Sequence, residues 1–404
     1  MSVDWSEAVE GAVATIEARL EGHTDRGDEA AILATLEALD DESLNEVLVR
    51  IDLYRLLGDV DDRAVGPKHR TELDRMLTEE RLAALSVRAR GVLIGALQRG
   101  RTGSRDEASI ERVLLATTGR ELTALKNVVD MGADHRDLQQ LLFSDIDDDA
   151  RRTRLIAHFA AEAIEAGEVK VLSDIDDTFY ANWKDDRYPK QTVYPGVLQL
   201  YEELDLGTTE DGRPGDIAFV TARPKDRPGF VEKLTHGTLR GRGLEVATVL
   251  SGSFRHLLTH ESMADKKLAN FRDYAALFPE YGFVFLGDSG QGDASFGKRM
   301  IELFPDRVAA VLIHDVVATP EEARRDWAER GVVFFDSYVG AATEAFRREL
   351  IGAEGLRRVM VRARTELERV PFADEGTKRA RQDELDADCE AAEAALSRCV
   401  VLTD

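Results

Sequence analysis

The chain has 404 residues, 43% of them hydrophobic, and a formal net charge of −24. That length suggests two or three domains with real cores, while the acidic balance argues against nucleic acid and against simple electrostatic binding to anionic lipid. No apolar run approaches the roughly 18 residues of a membrane span, and no signal-peptide pattern opens the chain. The only cysteines, Cys389 and Cys399, read as thiols of a reducing compartment. The expected location is therefore cytoplasmic.

Residues 1–165 carry almost no β signal. Apolar residues at helical spacing recur at Ile32, Leu36, Leu39, Leu44, Val47, Leu48 and Ile51, then at Ile110, Leu114, Leu122, Leu125, Val128 and Val129. The two stretches form an internal repeat at an offset of 78, in which Asp28-Glu29-Ala30 aligns with Asp106-Glu107-Ala108 and Asp52 with Asp130. Eight of the 25 aligned positions are identical, enough to suggest two copies of one helical unit packed face to face. Ser144-Asp145-Ile146-Asp147-Asp148-Asp149 follows residues with helical spacing and precedes an amphipathic run, which predicts a helix junction with an aspartate cap.

Val169 to Ser173 is a short apolar run ending in Asp174-Ile175-Asp176-Asp177-Thr178. The run predicts a buried strand, and open α/β sheets place ligands at the C-terminal ends of their strands. Carboxylates at i and i+2 on an extended tip point the same way. One can attack phosphorus while the other handles a proton, and with further acidic groups they can hold a hard cation. Strands are predicted near 169–174, 215–221, 245–250, 283–287, 308–313 and 332–336, separated by helices: an α/β fold with a doubly wound parallel sheet.

Asp174-x-Asp176-x-Thr178 has the form of the first motif of the haloacid dehalogenase superfamily. The other three follow in order: a strand ending at Thr221, Lys266 and Lys267 opening a helix, and Gly287-Asp288 with Asp293 after a third strand. Within that superfamily, the phrases S-D-I-D-D-T and F-L-G-D-S-G-Q-x-D, with Phe278-Pro279 upstream of the second, resemble the catalytic domain of the actin-patch phosphatidate phosphatase family. The resemblance runs from about Val169 to Ser337. It departs from the family at Thr221-Ala222-Arg223-Pro224, which bears on the substrate more than on the reaction.

The resemblance implies a Mg²⁺-dependent phosphomonoesterase with Asp174 as nucleophile, Asp176 as general acid and base, Thr221 on a phosphoryl oxygen and Lys267 neutralising developing charge. The metal would lie on Asp174, the carbonyl of Asp176, Asp288 and Asp293. Lys267 fits the spacing to Phe278-Pro279 better than Lys266. Between Thr178 and Pro195 the chain is too short for a cap domain, so an open site is expected, with Thr178, Trp183, Lys184 and Arg223 binding substrate and Arg187 and Lys190 at the same mouth. His256, His260 and His314 show no ligand spacing and are expected to be structural.

Residues from Gly103 to about Ala160 resemble a degenerate annexin repeat through Gly103-Ser104, Asp106-Glu107, Ile110, Leu114, Asp137-Leu138 and Ser144-Asp145. The annexin G-x-G-T calcium loop is absent as such, so the expectation is a helical bundle that does not bind calcium. The organisation expected is thus an all-α repeat domain over 1–165, a haloacid dehalogenase-like phosphatase domain over 166–340, and C-terminal helices over 341–404 packing against the helical half. The expected partner is a phosphorylated lipid or small molecule, with peripheral membrane contact left open. Two alternatives stand beside this: a phosphatase or phosphotransferase for a protein, sugar or nucleotide phosphate, and a non-catalytic annexin-like binder of calcium and lipid.

Overall fold

The computed structural model describes residues 4–100, 102–131, 137–164, 168–206, 217–221, 248–251, 260–290 and 292–401. The chain divides into two compact units, residues 1–164 with 276–279, and residues 165–275 with 280–404.

The first unit is helical among its described residues. Helices Arg26–Glu37 and Asp41–Arg50 are followed, at the same offset of 78, by helices beginning at Ser104 and Gly119. The predicted apolar positions point inward: Ile32, Leu36, Leu44, Val47, Leu48, Ile110, Leu114, Leu122, Leu125 and Val129 are all buried. Capping explains the helix starts. Asp25 accepts N–H bonds from Gly27 and Asp28, Asp40 from Ser43, and Asp148 from Ala150 and Arg151. The Asp145–Asp149 run is therefore a helix junction. A five-residue π-turn, Leu141–Asp145, closes on it, and Asp145 accepts from the side-chain amides of Gln98 at 2.8 Å and Gln140 at 2.9 Å.

Among its described residues the second unit is an α/β structure built on six parallel strands: β1 Val169–Ser173, β2 Ile217–Thr221, β3 Thr248–Ser251, β4 Gly282–Asp288, β5 Val308–His314 and β6 Val332–Phe335. Their spatial order is β3-β2-β1-β4-β5-β6. All neighbouring pairs are parallel. Consecutive connections run one way from β1 and the opposite way from β4, so the crevice for a ligand lies beyond the ends of those two strands.

Strand alternation sends Val171, Val284, Leu286, Ala310 and Leu312 into one core. They meet residues of helices Val197–Leu206, Tyr338–Arg347, Ala353–Glu368 and Glu375–Val401. Phe283 and Phe285 face the other way, onto Phe271 and Phe296 of helices His260–Leu277 and Asp293–Leu303. Gly297 lets the latter helix approach the sheet, since a Cβ there would lie 2.3 Å from Val311.

One expectation is corrected. The C-terminal helices do not belong with the helical half. Leu356, Val359, Ala363, Leu385 and Cys389 share the core of the sheet, and Arg358 holds the buried Glu203 at 2.7 Å. No helix among the described residues is long and apolar enough to cross a membrane.

Candidate active site

Asp174 is the first residue beyond β1, and its N–H donates to the carbonyl of Leu286 in β4 at 2.9 Å. This bond carries the sheet register one step past the strand end and sets Asp174 beside Gly287-Asp288. Asp293 reaches the same point from the start of helix Asp293–Leu303, after Gly292 turns the chain at φ 90°. That turn needs the left-handed region, which glycine adopts without strain. Gly287 leaves room for the aspartate, because a Cβ there would lie 2.6 Å from Asp293 Cβ and 2.7 Å from its Oδ2. The helix N-terminus favours the carboxylate electrostatically, and Asp293 Oδ2 accepts the N–H of Asp288 at 3.3 Å.

Carboxylate oxygens of Asp174, Asp288 and Asp293 all lie within 4.8 Å of one another, and all three residues are buried. Lys267, on the helix His260–Leu277, places Nζ 2.9 Å from Asp174 Oδ1 and 2.6 Å from Asp293 Oδ1. Burial pushes the Asp174 carboxyl up to about 7; Lys267 opposes the rise, while Asp293 and Asp176 add to it. Asp288 is raised well above the ordinary range, first by burial and then by Asp293 and Asp174. Burial alone would lower Lys267, but the two aspartates outweigh it and keep the ammonium charged.

Asp176 is half-buried at the mouth, where Asn182 Nδ2 donates to its Oδ1 at 2.7 Å. Asp177 has a different job. At φ 61° its carboxylate turns back and accepts backbone N–H bonds from Asn182, Trp183, Lys184 and Asp185. It fixes the loop that follows β1.

The loop after β4 is held by a second network. Gly290 N–H donates to Asp288 Oδ1 at 2.6 Å, and Ser289 Oγ donates to Asp315, which Arg324 in turn clamps. The stem of Lys184 lies over Gly290, where a Cβ would meet Lys184 Cγ at 2.9 Å.

The other predicted site residues are placed variously. Trp183 is 68% exposed and Lys184 is also exposed. Thr178 is fully buried, with Tyr338 Oη donating to its carbonyl and its own hydroxyl without a hydrogen-bond partner among the described residues.

Arg187 is likewise not free at the mouth. It grips the buried Asp185 through Nε at 2.9 Å and Nη2 at 3.0 Å, and Lys190 is held by Asp186. His314 donates from Nδ1 to the carbonyl of Asp177 and stacks on Phe335. Burial, with Arg187 beside it, pushes that imidazole down to about 4. Thr221 ends β2, paired in register with Ser251. Its side chain, that of Lys266, and all of Arg223 lie outside the described residues.

Sequence reasoning missed Asn182 and the division of labour between Asp176 and Asp177. Only the left-handed turn at Asp177 separates them, and an unbroken D-I-D-D run gives no sign of it. No curated protein and no solved structure matches the chain. Residues 169–315, the segment carrying every strand-end carboxylate described above, match the family model described as "Phosphatidate phosphatase APP1, catalytic domain".

Proposed function

We propose that the second unit is a Mg²⁺-dependent phosphomonoesterase of the haloacid dehalogenase type, acting on a phosphorylated lipid of the phosphatidate class through an aspartyl-phosphate. The observation that carries this reading is the convergence of three buried carboxylates on one point. Among the described residues, carboxylate oxygens of Asp174, Asp288 and Asp293 converge within 4.8 Å of one another, with the Lys267 ammonium on two of them, in a buried place where desolvation is costly. An all-oxygen donor set of this kind suits a hard divalent cation. Asp174, Asp288, the carbonyl of Asp176 and Asp293, directly or through water, would hold it. When bound, Mg²⁺ would supply the positive charge that lets a carboxylate approach a phosphate dianion.

In this reading a carboxylate oxygen of Asp174 forms a bond to phosphorus as the ester P–O bond breaks. Asp176 gives its proton to the departing alkoxide. Asp176 then takes a proton from water, whose oxygen attacks phosphorus; the Asp174–phosphorus bond breaks and inorganic phosphate leaves. Lys267 keeps Asp174 oriented and offsets charge on the phosphoryl oxygens, with Thr221 as a further donor. Exposed Trp183 and Lys184 border the mouth, and no cap domain is needed over so short a loop, which suits a bulky substrate.

The helical unit is read as a two-copy structural bundle. Both oxygens of Asp145 accept amide N–H bonds, a poor arrangement for a cation ligand. The test is hydrolysis of phosphatidate in mixed micelles, against protein, sugar and nucleotide phosphates, with Mg²⁺ and with chelator. Preferential Mg²⁺-dependent release from phosphatidate supports the reading. Preference for a soluble phosphate refutes the lipid assignment, and undiminished activity in chelator refutes the metal.

A further inference from the structure

The loop from Phe179 to Tyr194 folds back on itself. Ala181 N–H donates to Thr192 O at 2.9 Å, Gln191 N–H to Ala181 O at 2.7 Å, and Tyr194 N–H to Phe179 O at 3.2 Å. These bonds bring the Gln191 side chain onto Asn182, where Gln191 Nε2 donates to Asn182 Oδ1 at 3.1 Å. The backbone N–H of Asn182 is pinned by Asp177 Oδ1 at 2.8 Å. The Asn182 amide is thus held at its backbone and at its oxygen. Its remaining polar end, Nδ2, is committed to Asp176 Oδ1 at 2.7 Å.

We propose that Asn182, oriented by Gln191, is the positioning residue that aims the proton of Asp176 at the leaving group. The inference rests on the reading of Asp176 as general acid. An amide N–H can only donate, so Asp176 Oδ1 accepts, and because a carbonyl oxygen accepts better than a hydroxyl the proton is favoured on Oδ2. The bond from Asn182 thus orients the carboxyl with Oδ2 as the favoured proton carrier. An acid fixed within hydrogen-bond reach of the leaving oxygen works better than one that samples several orientations.

The cost of the arrangement is visible in the backbone. Gln191 sits at φ 68°, where glycine would be unstrained, yet the position carries an exposed side chain whose amide meets Asn182. The carboxylate of Asp176 selects the Nδ2 end of the Asn182 amide, and Gln191 braces the other end. Without it the amide keeps that sense but is held less firmly.

The test compares kcat on an alkyl phosphate monoester, whose leaving group needs a proton, with kcat on 4-nitrophenyl phosphate, whose leaving group does not. A general acid is worth roughly 10²–10⁴ in rate, so misaiming one should cost about tenfold or more. Asn182→Ala should lower kcat on the alkyl ester about tenfold more than on the aryl ester. Gln191→Gly suits the left-handed backbone and should shift the ratio in the same direction by a smaller factor. It keeps the test decisive if Asn182→Ala folds poorly. Asp176→Asn run beside them separates the two ideas. If Asp176→Asn is selective for the alkyl ester while both loop variants lower the two rates equally or not at all, the positioning role is refuted and the acid assignment stands. If Asp176→Asn is itself unselective, the acid assignment fails and the inference falls with it.

Discussion

Lys267→Met is the most revealing single change, because it removes the ammonium from a site with three carboxylates. At an effective dielectric constant of about 20, an ammonium 2.9 Å from a carboxylate contributes about 6 kcal/mol before desolvation. Breaking a buried pair by removing one partner costs about 3–5 kcal/mol net. Here the loss should depend on pH in a direction opposite to that of most paired carboxylates. Asp174 is raised above its unfolded value of 3.8 to about 7. The metal-free fold therefore binds more protons than the unfolded chain between those values, and its stability declines as pH rises through that window.

Without Lys267 the Asp174 carboxyl should rise further. The variant should melt several degrees below wild type at pH 8 in chelator and close most of the gap by pH 6, where a proton replaces the ammonium. Mg²⁺ should stabilise the variant more than wild type, since a cation no longer repels it. Turnover should fall about 10²–10³-fold, the usual loss of one charge-stabilising donor. Scanning calorimetry over pH with and without Mg²⁺, beside steady-state rates, reads all three effects. Weaker Mg²⁺ stabilisation with turnover retained would refute the charge argument.

Gly287→Ala should act through Asp293. The added methyl would lie 2.6 Å from Asp293 Cβ and 2.9 Å from Phe285 Cε1. Overpacking of this kind costs about 1–3 kcal/mol, and a displaced Asp293 should raise the Mg²⁺ concentration for half-maximal activity; an unchanged activation curve would show that Asp293 is not needed. Asp145→Asn should cost about 1 kcal/mol through its bonds from Gln98 and Gln140, with hydrolysis unchanged. A deep loss of activity would mean that the first acidic run matters to the reaction. Calcium should not make the protein sediment with anionic vesicles, and sedimentation abolished by Asp145→Ala would revive an annexin-like role for the helical unit.

Much of the site was legible because its parts lie where strands end. An apolar run stopping at a carboxylate marks Asp174 and Asp288 on β1 and β4 without knowledge of the partner strands, and G-D-x-x-x-x-D brings Asp293 within reach one turn later. Lys267 was harder, because two adjacent lysines point about 100° apart on a helix, and the geometry puts Lys267 on the carboxylates.

What could not be read were the choices of partner. The alternating charges of residues 353–401 announce amphipathic helices, but periodicity does not say which surface they cover, and they cover the sheet. Arg187 was expected at the mouth because it follows an aromatic, basic stretch; Asp185, two residues earlier and fully buried, claims it instead. Thr178 has the residue type of a substrate contact, but nothing in the sequence says that it is fully buried beside the left-handed turn at Asp177.

The central claim is that Asp174 forms a covalent bond to phosphorus. It is tested most directly by acid-quenching the protein during turnover of phosphatidate with Mg²⁺ and mapping the tryptic peptide Val171–Lys184 by mass. A fraction of this peptide should carry one phosphoryl group on Asp174, labile to hydroxylamine and absent from Asp174→Asn, which should not turn over. Sustained hydrolysis by Asp174→Asn, with no phosphoryl group on the wild-type peptide, would contradict it.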